Sequence, residues 1–194
     1  MPRRVKVSSK TRVFDGYFKI DSAVVSHERY DGTMSALAPR LVFERGDSVA
    51  VLPYDRQRRE VVLVEQFRFP AYLRDGHGWL WEIIAGIQDE GRSPEEVARA
   101  EALEEAGYRL ETVRLAMTAY SSPGGSSERL HIYVAPVRPE QRVQPGGGLA
   151  GSDEDILVRS FGLDEALQMV ADGRIVDAKT ILALQYLVLH WDEL

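Results

Sequence analysis

Three glutamates stand close together near the middle of the sequence: Glu101, Glu104 and Glu105. On a helix, Glu101 and Glu105 project from adjacent turns in the same direction. Two like charges at that spacing weaken an isolated helix by about 0.2–0.5 kcal/mol. A divalent cation reverses the sign. Mg²⁺ takes hard oxygen ligands in octahedral geometry, and is content with one or two carboxylates plus substrate phosphates. Glu104, beside them, could hold a water in the ion's shell. Helical spacing alone favours an ordinary solvated acidic face, so the surrounding sequence must decide.

The helix that carries these residues is strongly specified. Ser93 suits the N-cap, Pro94 the first helical position, and Glu96 completes a capping box. The pattern runs through Glu105 and stops at Gly107, a C-terminal glycine. Before it, Trp79–Ala85 reads as a short strand ending at Gly86. Ser48–Pro53 and Glu60–Phe67 read as strands joined by a charged turn, and Glu111–Tyr120 and Arg129–Val137 as later ones. Pro145-Gly146-Gly147-Gly148 is a loop; no lysine-containing P-loop follows, so a plain connection suits it better than a phosphate cradle. Helical patterns cover roughly Leu163–Ala171 and Asp177–Trp191.

Upstream, Arg12–Ile20, Ala23–Tyr30 and Met34–Phe43 read as strands, with Asp31-Gly32 as a hairpin turn. Pro39 marks the third as an edge or bulged strand. Punctuation at Phe43–Asp47 separates an N-terminal β segment, 1–45, from a main domain, 46–194. The order predicts an α/β (α+β) fold, a sheet layer covered by helices on both faces.

At 194 residues the chain can bury one full core, or one domain with a smaller appendage. A net charge of −6 without basic blocks points away from nucleic acid and from anionic membrane. The absence of cysteine excludes disulfides, thiolate zinc sites and thiol catalysis, and fits an intracellular protein. The first ten residues are basic with no apolar run behind them, unlike a secretory signal. The longest apolar stretch, Ile181 to Leu189, is interrupted by Gln185 and is too short to span a bilayer. The cytoplasm is the expected compartment. His27, His77, His131 and His190 show no ligand spacing.

The run from Gly86 to Tyr108 resembles the Nudix box, G-x5-E-x7-R-E-U-x-E-E-x-G-U, where U is a bulky apolar residue. Gly86, Glu101, Glu104, Glu105 and Gly107 fix the register. The resemblance extends over nearly the whole chain. Arg12–Asp21, Phe43-Glu44-Arg45-Gly46, Val61–Phe69, Glu82, Ser122-Pro123-Gly124-Gly125 with Glu128, and Ser152-Asp153-Glu154-Asp155-Ile156 look like the ADP-ribose pyrophosphatase branch. The GDP-mannose hydrolase branch is a close second.

That resemblance implies an α/β/α sandwich around a mixed sheet, and Mg²⁺-dependent hydrolysis of a nucleoside-diphosphate sugar, with Mn²⁺ as an alternative ion. ADP-ribose, giving AMP and ribose 5-phosphate, is the leading substrate; GDP-mannose is the alternative. Glu101 and Glu105 match metal-binding carboxylates, and the Ala85 carbonyl matches a backbone ligand. Glu128 matches a general base or late metal ligand. Arg40 and Arg68 match arginines that contact the diphosphate, although both could instead pair with local acids. Tyr17 or Phe18 resembles an aromatic that stacks on the base; the two alternate in direction along a strand, so one belongs to the core. In this branch the aromatic arrives through a homodimer with exchanged N-terminal segments. Asp153-Glu154-Asp155 either approaches the site or forms a solvated turn.

Two fixed box positions differ. Arg92 replaces the first glutamate and Ala100 the arginine; the small Ala102 also follows Glu101. Losing one charged hydrogen bond costs about 1.5–3 kcal/mol, hence roughly ten- to a hundredfold in rate. Arg92 is expected to swing toward the box carboxylates and restore part of the support. The same two changes leave a second reading open, a nucleotide-sugar binding module with weak turnover.

Overall fold

The computed structural model describes residues 3–148, 151 and 154–194; Ser152 and Asp153, from the acidic run noted above, lie outside them. The chain forms two compact units. One holds the residues up to Asp47 together with Tyr120–Arg129, the other Ser48–Ala119 with Leu130–Leu194.

In the first unit β1 (Val5–Asp15), β2 (Lys19–His27) and β3 (Ala38–Glu44) make an antiparallel sheet in that order. Pro39 sits on the edge strand β3, where its missing N–H removes no rung. The Asp31-Gly32 turn forms, with Gly32 at φ 81°. The first hairpin departs from expectation. Asp15 pairs with Lys19, so Gly16, Tyr17 and Phe18 form its loop and do not lie on a strand. A Cβ at Gly16 would press on the Phe14 ring, so glycine suits this loop position. Tyr17 is 83% exposed, while Phe18 packs edge-on against Phe43 at 5.1 Å.

The second unit contains β4 (Ser48–Asp55), β5 (Glu60–Phe67), α1 (Phe69–Asp75), β6 (Trp79–Glu82), β7 (Ile84–Ile87), α2 (Pro94–Ala106), β8 (Arg114–Tyr120), β9 (Arg129–Pro136), β10 (Leu157–Gly162), α3 (Leu163–Ala171) and α4 (Ala178–Leu189). Among the described residues the sheet runs β10-β5-β4-β9-β8, with β6 beside β5 and β7 beside β4. It is mixed, because β4 and β9 are parallel and β4 pairs antiparallel with β5 and β7.

Alternation along β4 sorts the core into two layers. Ala50, Leu52 and Tyr54 face Leu163, Ala166, Met169, Ala183, Leu184 and Leu187 of α3 and α4. Val49 and Val51 face Val97, Ala98, Ala102 and Ala106 of α2. Each fully buried Leu, Ile or Val contributes about 1.5–3 kcal/mol. This is the expected helix–sheet–helix sandwich.

In the second unit three further elements differ from the sequence reading. The strand expected over Trp79–Ala85 is two strands, since the chain changes neighbour at Ile83: β6 pairs with β5, then β7 with β4. As a result β4 and β5 pair only at Tyr54↔Val61 and Asp55↔Glu60 before they splay. Helix α1 and strand β10 had no sequence signal.

Candidate active site

Helix α2 is built by its ends. The Ser93 hydroxyl accepts the Glu96 N–H at 3.3 Å and the Glu96 carboxylate accepts the Ser93 N–H at 2.7 Å, closing the capping box. Gly107 ends the helix in the left-handed region at φ 76°, where a Cβ would overlap the Gln144 carbonyl. The glycine run completes that end. Gly147 donates to the Glu105 carbonyl at 2.8 Å and Gly148 to that of Glu104 at 3.3 Å, answering carbonyls the helix leaves open. The run thus serves as a helix cap, neither a phosphate cradle nor a loose connection.

The acidic face of α2 turns inward. Gly86 lies so close beneath Glu101 that a Cβ there would overlap its carboxylate. Glu105 is 6% exposed, and its Oε2 accepts the Ala85 N–H at 3.3 Å. Ala85 pairs with Ala50 in the antiparallel β4–β7 ladder. In such a ladder a residue sends its N–H and C=O to the same edge, so an N–H aimed at Glu105 turns the Ala85 carbonyl toward the carboxylates as well. Three oxygen donors of the expected set therefore meet at one place.

These carboxylates are poorly compensated. Burial, then the charges of Glu104 and Glu154, push Glu101 up to about 7. Burial, then Glu101, push Glu105 up to about 8. Among the described residues neither forms an ion pair. Arg92 acts on Glu101 and Arg68 on Glu105 without an ion pair, and clustered, desolvated carboxylates answered so weakly are what a divalent ion would relieve. No group of three His, Asp or Glu side chains closes a ready-made metal cage among the described residues. An ion here would take two glutamates, a backbone carbonyl and oxygens from elsewhere, the composition that suits Mg²⁺.

Glu154 is the residue whose part the sequence left undecided. Its charge raises both Glu101 and Glu105, so Glu154 itself comes toward the cluster. Gly148 lies against its side chain.

Arg68 stands in the same unit, with Glu105 among the charges that stabilise it. Its Nε and Nη2 donate to Glu82 at 2.7 and 2.9 Å. Burial works against the charge of Glu82, yet the Arg68 hydrogen bonds and the Lys179 charge hold it below the usual carboxylate range. The expected alternative, pairing with a local acid, is therefore met on one edge of the guanidinium. Among the described residues its Nη1 makes no hydrogen bond.

The remaining predicted residues belong to the first unit. Glu128 is 7% exposed, with Arg45 Nε 3.4 Å from its carboxylate. Arg40 is exposed on β3 and donates to the Pro39 carbonyl at 2.8 Å. Arg45 also lies 5.4 Å from the Phe18 ring centre.

Arg92 departs from expectation. Its guanidinium is held by Asp89, with Nε at 2.9 Å, rather than by the box glutamates. The Asp89 pairing comes first in stabilising its charge, and Glu101 and Glu104 act on it without a bond. Asp89 lies three residues away on the same loop, so the shorter reach wins.

A NUDIX domain matches residues 44–184. The chain belongs to the NUDIX family. Members of the NUDIX family generally need a divalent metal. Among NUDIX relatives, the ADP-ribose pyrophosphatase of Escherichia coli is 40% identical over 187 residues, spanning 96% of this chain and 88% of that protein. The GDP-mannose pyrophosphatase of Yersinia pestis is 40% identical over 176 residues, spanning 90% and 87%. A crystal structure of an ADP compounds hydrolase superposes with a TM-score of 0.73 at 18% identity, covering 98% of this chain and 95% of that one, so the NUDIX fold is shared.

Proposed function

We propose that this chain is a pyrophosphatase of nucleoside-diphosphate sugars that uses Mg²⁺, with Mn²⁺ as an alternative, and that ADP-ribose is its leading substrate. The observation that carries this reading is the half-buried Glu101 and buried Glu105 against Ala85-Gly86, raised to about 7 and about 8 by burial and by neighbouring carboxylates. GDP-mannose is the alternative, because relatives named for each substrate are 40% identical to this chain.

When bound, the ion neutralises the diphosphate and makes the attacking water more acidic. Glu101, Glu105 and the Ala85 carbonyl would hold it. Arg68, fixed by Glu82, would hold diphosphate oxygens with its remaining donors, and Arg40 would add a second cation. Glu104, whose charge already acts on Glu101, would orient a water. A carboxylate must take the proton of that water. Glu128 has this part by family likeness, and Glu154 is a second acid that reaches the cluster. Tyr17, 83% exposed, or Phe18 would stack on the base.

A homodimer and a cytoplasmic setting belong to the same proposal. Every residue of β1 is exposed, with Val5, Val7, Val13 and Phe14 each more than half accessible, a surface that a second copy would cover. Among the described residues no helix is long and apolar enough to cross a membrane.

The test is direct. Purified protein with Mg²⁺ should convert ADP-ribose to AMP and ribose 5-phosphate, and Glu105→Gln should not. The second reading, a binding module with weak turnover, has one observation in its favour: Arg92 is bonded to Asp89, leaving Ala100 uncompensated. Tight binding of ADP-ribose or GDP-mannose without turnover above the Glu105→Gln control would select it.

A further inference from the structure

The first turn of α4 reaches back to the segment that leads into the site. Asp177 caps the helix, its Oδ2 accepting the Thr180 N–H at 3.0 Å and the Thr180 hydroxyl at 2.6 Å. The same Thr180 oxygen, wholly buried, accepts the Ile83 N–H at 2.8 Å, at the point where β6 gives way to β7. Lys179 Nζ bonds Glu82 Oε2, and lies 3.0 Å from Asp177 Oδ1. Glu82 is 2% exposed and takes Arg68 on its other side.

We propose that Lys179 is a positioning residue for the diphosphate-binding arginine, acting through Glu82, with Thr180 fixing the backbone beside it. The inference rests on the reading of Arg68 as a ligand of the diphosphate. Glu82 Oε1 accepts from Arg68 Nε, and Oε2 accepts from both Arg68 Nη2 and Lys179. The two-point fork fixes Arg68 against Glu82, but it leaves the pair to move as one body about the Glu82 side-chain torsions. A second cation on Oε2, itself beside Asp177, anchors that body to the first turn of α4 and so holds the unused edge of the guanidinium in one direction. A rigid fork gives up less freedom on binding a planar or tetrahedral anion than a loose one. Lys179 is nearly buried against a carboxylate 97 residues earlier, a placement that this anchoring accounts for.

A lysine that merely stabilised the fold would change the fraction of active protein, which lowers apparent kcat and leaves KM alone. A positioning lysine changes affinity. The experiment compares Lys179→Met, Lys179→Arg, Asp177→Asn and Arg68→Ala, with a thermal melt to set a temperature at which each is folded. KM for ADP-ribose is measured with Mg²⁺, and Kd by calorimetry in chelator without metal. Lys179→Met should raise both about tenfold, equivalent to one decade in affinity. Lys179→Arg should restore both to within about threefold, and Asp177→Asn, which keeps a good cap, should give a rise of about threefold. On an Arg68→Ala background Lys179→Met should add nothing, because residues acting through one another are not additive.

The proposal is overturned if Lys179→Met lowers kcat alone, or if its effect on KM persists in full without Arg68. It is also overturned if Arg68→Ala raises KM and Kd while Lys179→Met and Asp177→Asn leave both unchanged. If Arg68→Ala itself moves neither KM nor Kd, the assignment of Arg68 to the diphosphate has failed, and the role of Lys179 falls with it.

Discussion

Glu82 and Glu105 are both buried carboxylates of the larger unit, 2% and 6% exposed, yet their surroundings treat them in opposite ways. Glu82 lies between Arg68 and Lys179, and its charge is secured below the usual range. Glu105 is pushed up to about 8 by its burial and then by Glu101 and Glu154, against one backbone donor and the Arg68 charge, with which it forms no ion pair. A buried charge that is answered within the protein holds something in place. One left unanswered waits for something from outside. The contrast separates scaffold from site without reference to any relative.

The largest expected effect is on the unanswered side. Glu105→Gln should lower kcat on the order of 10²–10³-fold, the scale seen when one preorganised charge-stabilising contact is removed. The same variant should melt higher than the parent in chelator, because an unfavourable buried charge is gone. A variant that loses activity and also melts lower would break the contrast.

The matching change on the answered side is Glu82→Gln, which strands two cations. Removing one member of a buried ion pair costs about 3–5 kcal/mol, measurable by urea unfolding. Here stability should fall while half-saturation by Mg²⁺ changes little.

A smaller effect tests the altered box. Ala100→Arg, combined with Arg92→Glu, should raise kcat about tenfold. No gain would mean that the present loop, with Arg92 held on Asp89, already compensates.

The smallest effect is that of pH on the metal-free protein. Glu101 and Glu105 have folded values near 7 and 8, above an ordinary value near 4.5. Their contribution to stability is full below pH 4.5 and is lost as pH rises through 7 and 8. In chelator the melting temperature should fall by several degrees between pH 5.5 and pH 8.5, an order-of-magnitude expectation from linkage. Mg²⁺ should reverse the slope, since binding displaces the protons. A chelated protein whose melting temperature rises over that range would contradict the burial of these acids.

What could be read from the sequence was what local chemistry decides. Ser93, Pro94, Glu96 and Gly107 bracket α2 because caps act within three or four residues, and the Glu101–Glu105 spacing follows from the helix they enclose. β5 and α3 were legible because their apolar patterns and flanking turns are also local. β10 was not, because Leu157–Gly162 becomes a strand by pairing with Glu60–Glu65, far earlier in the chain. α1 was not, because none of its residues is buried and it shows no apolar period. Lys179 has no local signal, because its partner Glu82 lies 97 residues earlier and is brought to it only by the fold. Arg92 misled for the opposite reason, a near neighbour taking the place of a distant partner.

The change of neighbour at Ile83 carries a consequence for tolerance to length. Trp79–Glu82 is in register with Val64–Phe67, and Ile84–Ile87 with Ser48–Val51, so one short run meshes with two different ladders. Deleting or inserting a single residue there would force a one-residue slip in at least one ladder, exchanging inward and outward side chains. Glu82 in the one ladder, or Ala85 in the other, would then leave its station. Such a chain should tolerate added residues around Arg109–Val113, between helix and strand, far better than between Trp79 and Ile87, which an insertion scan scored by soluble yield would reveal.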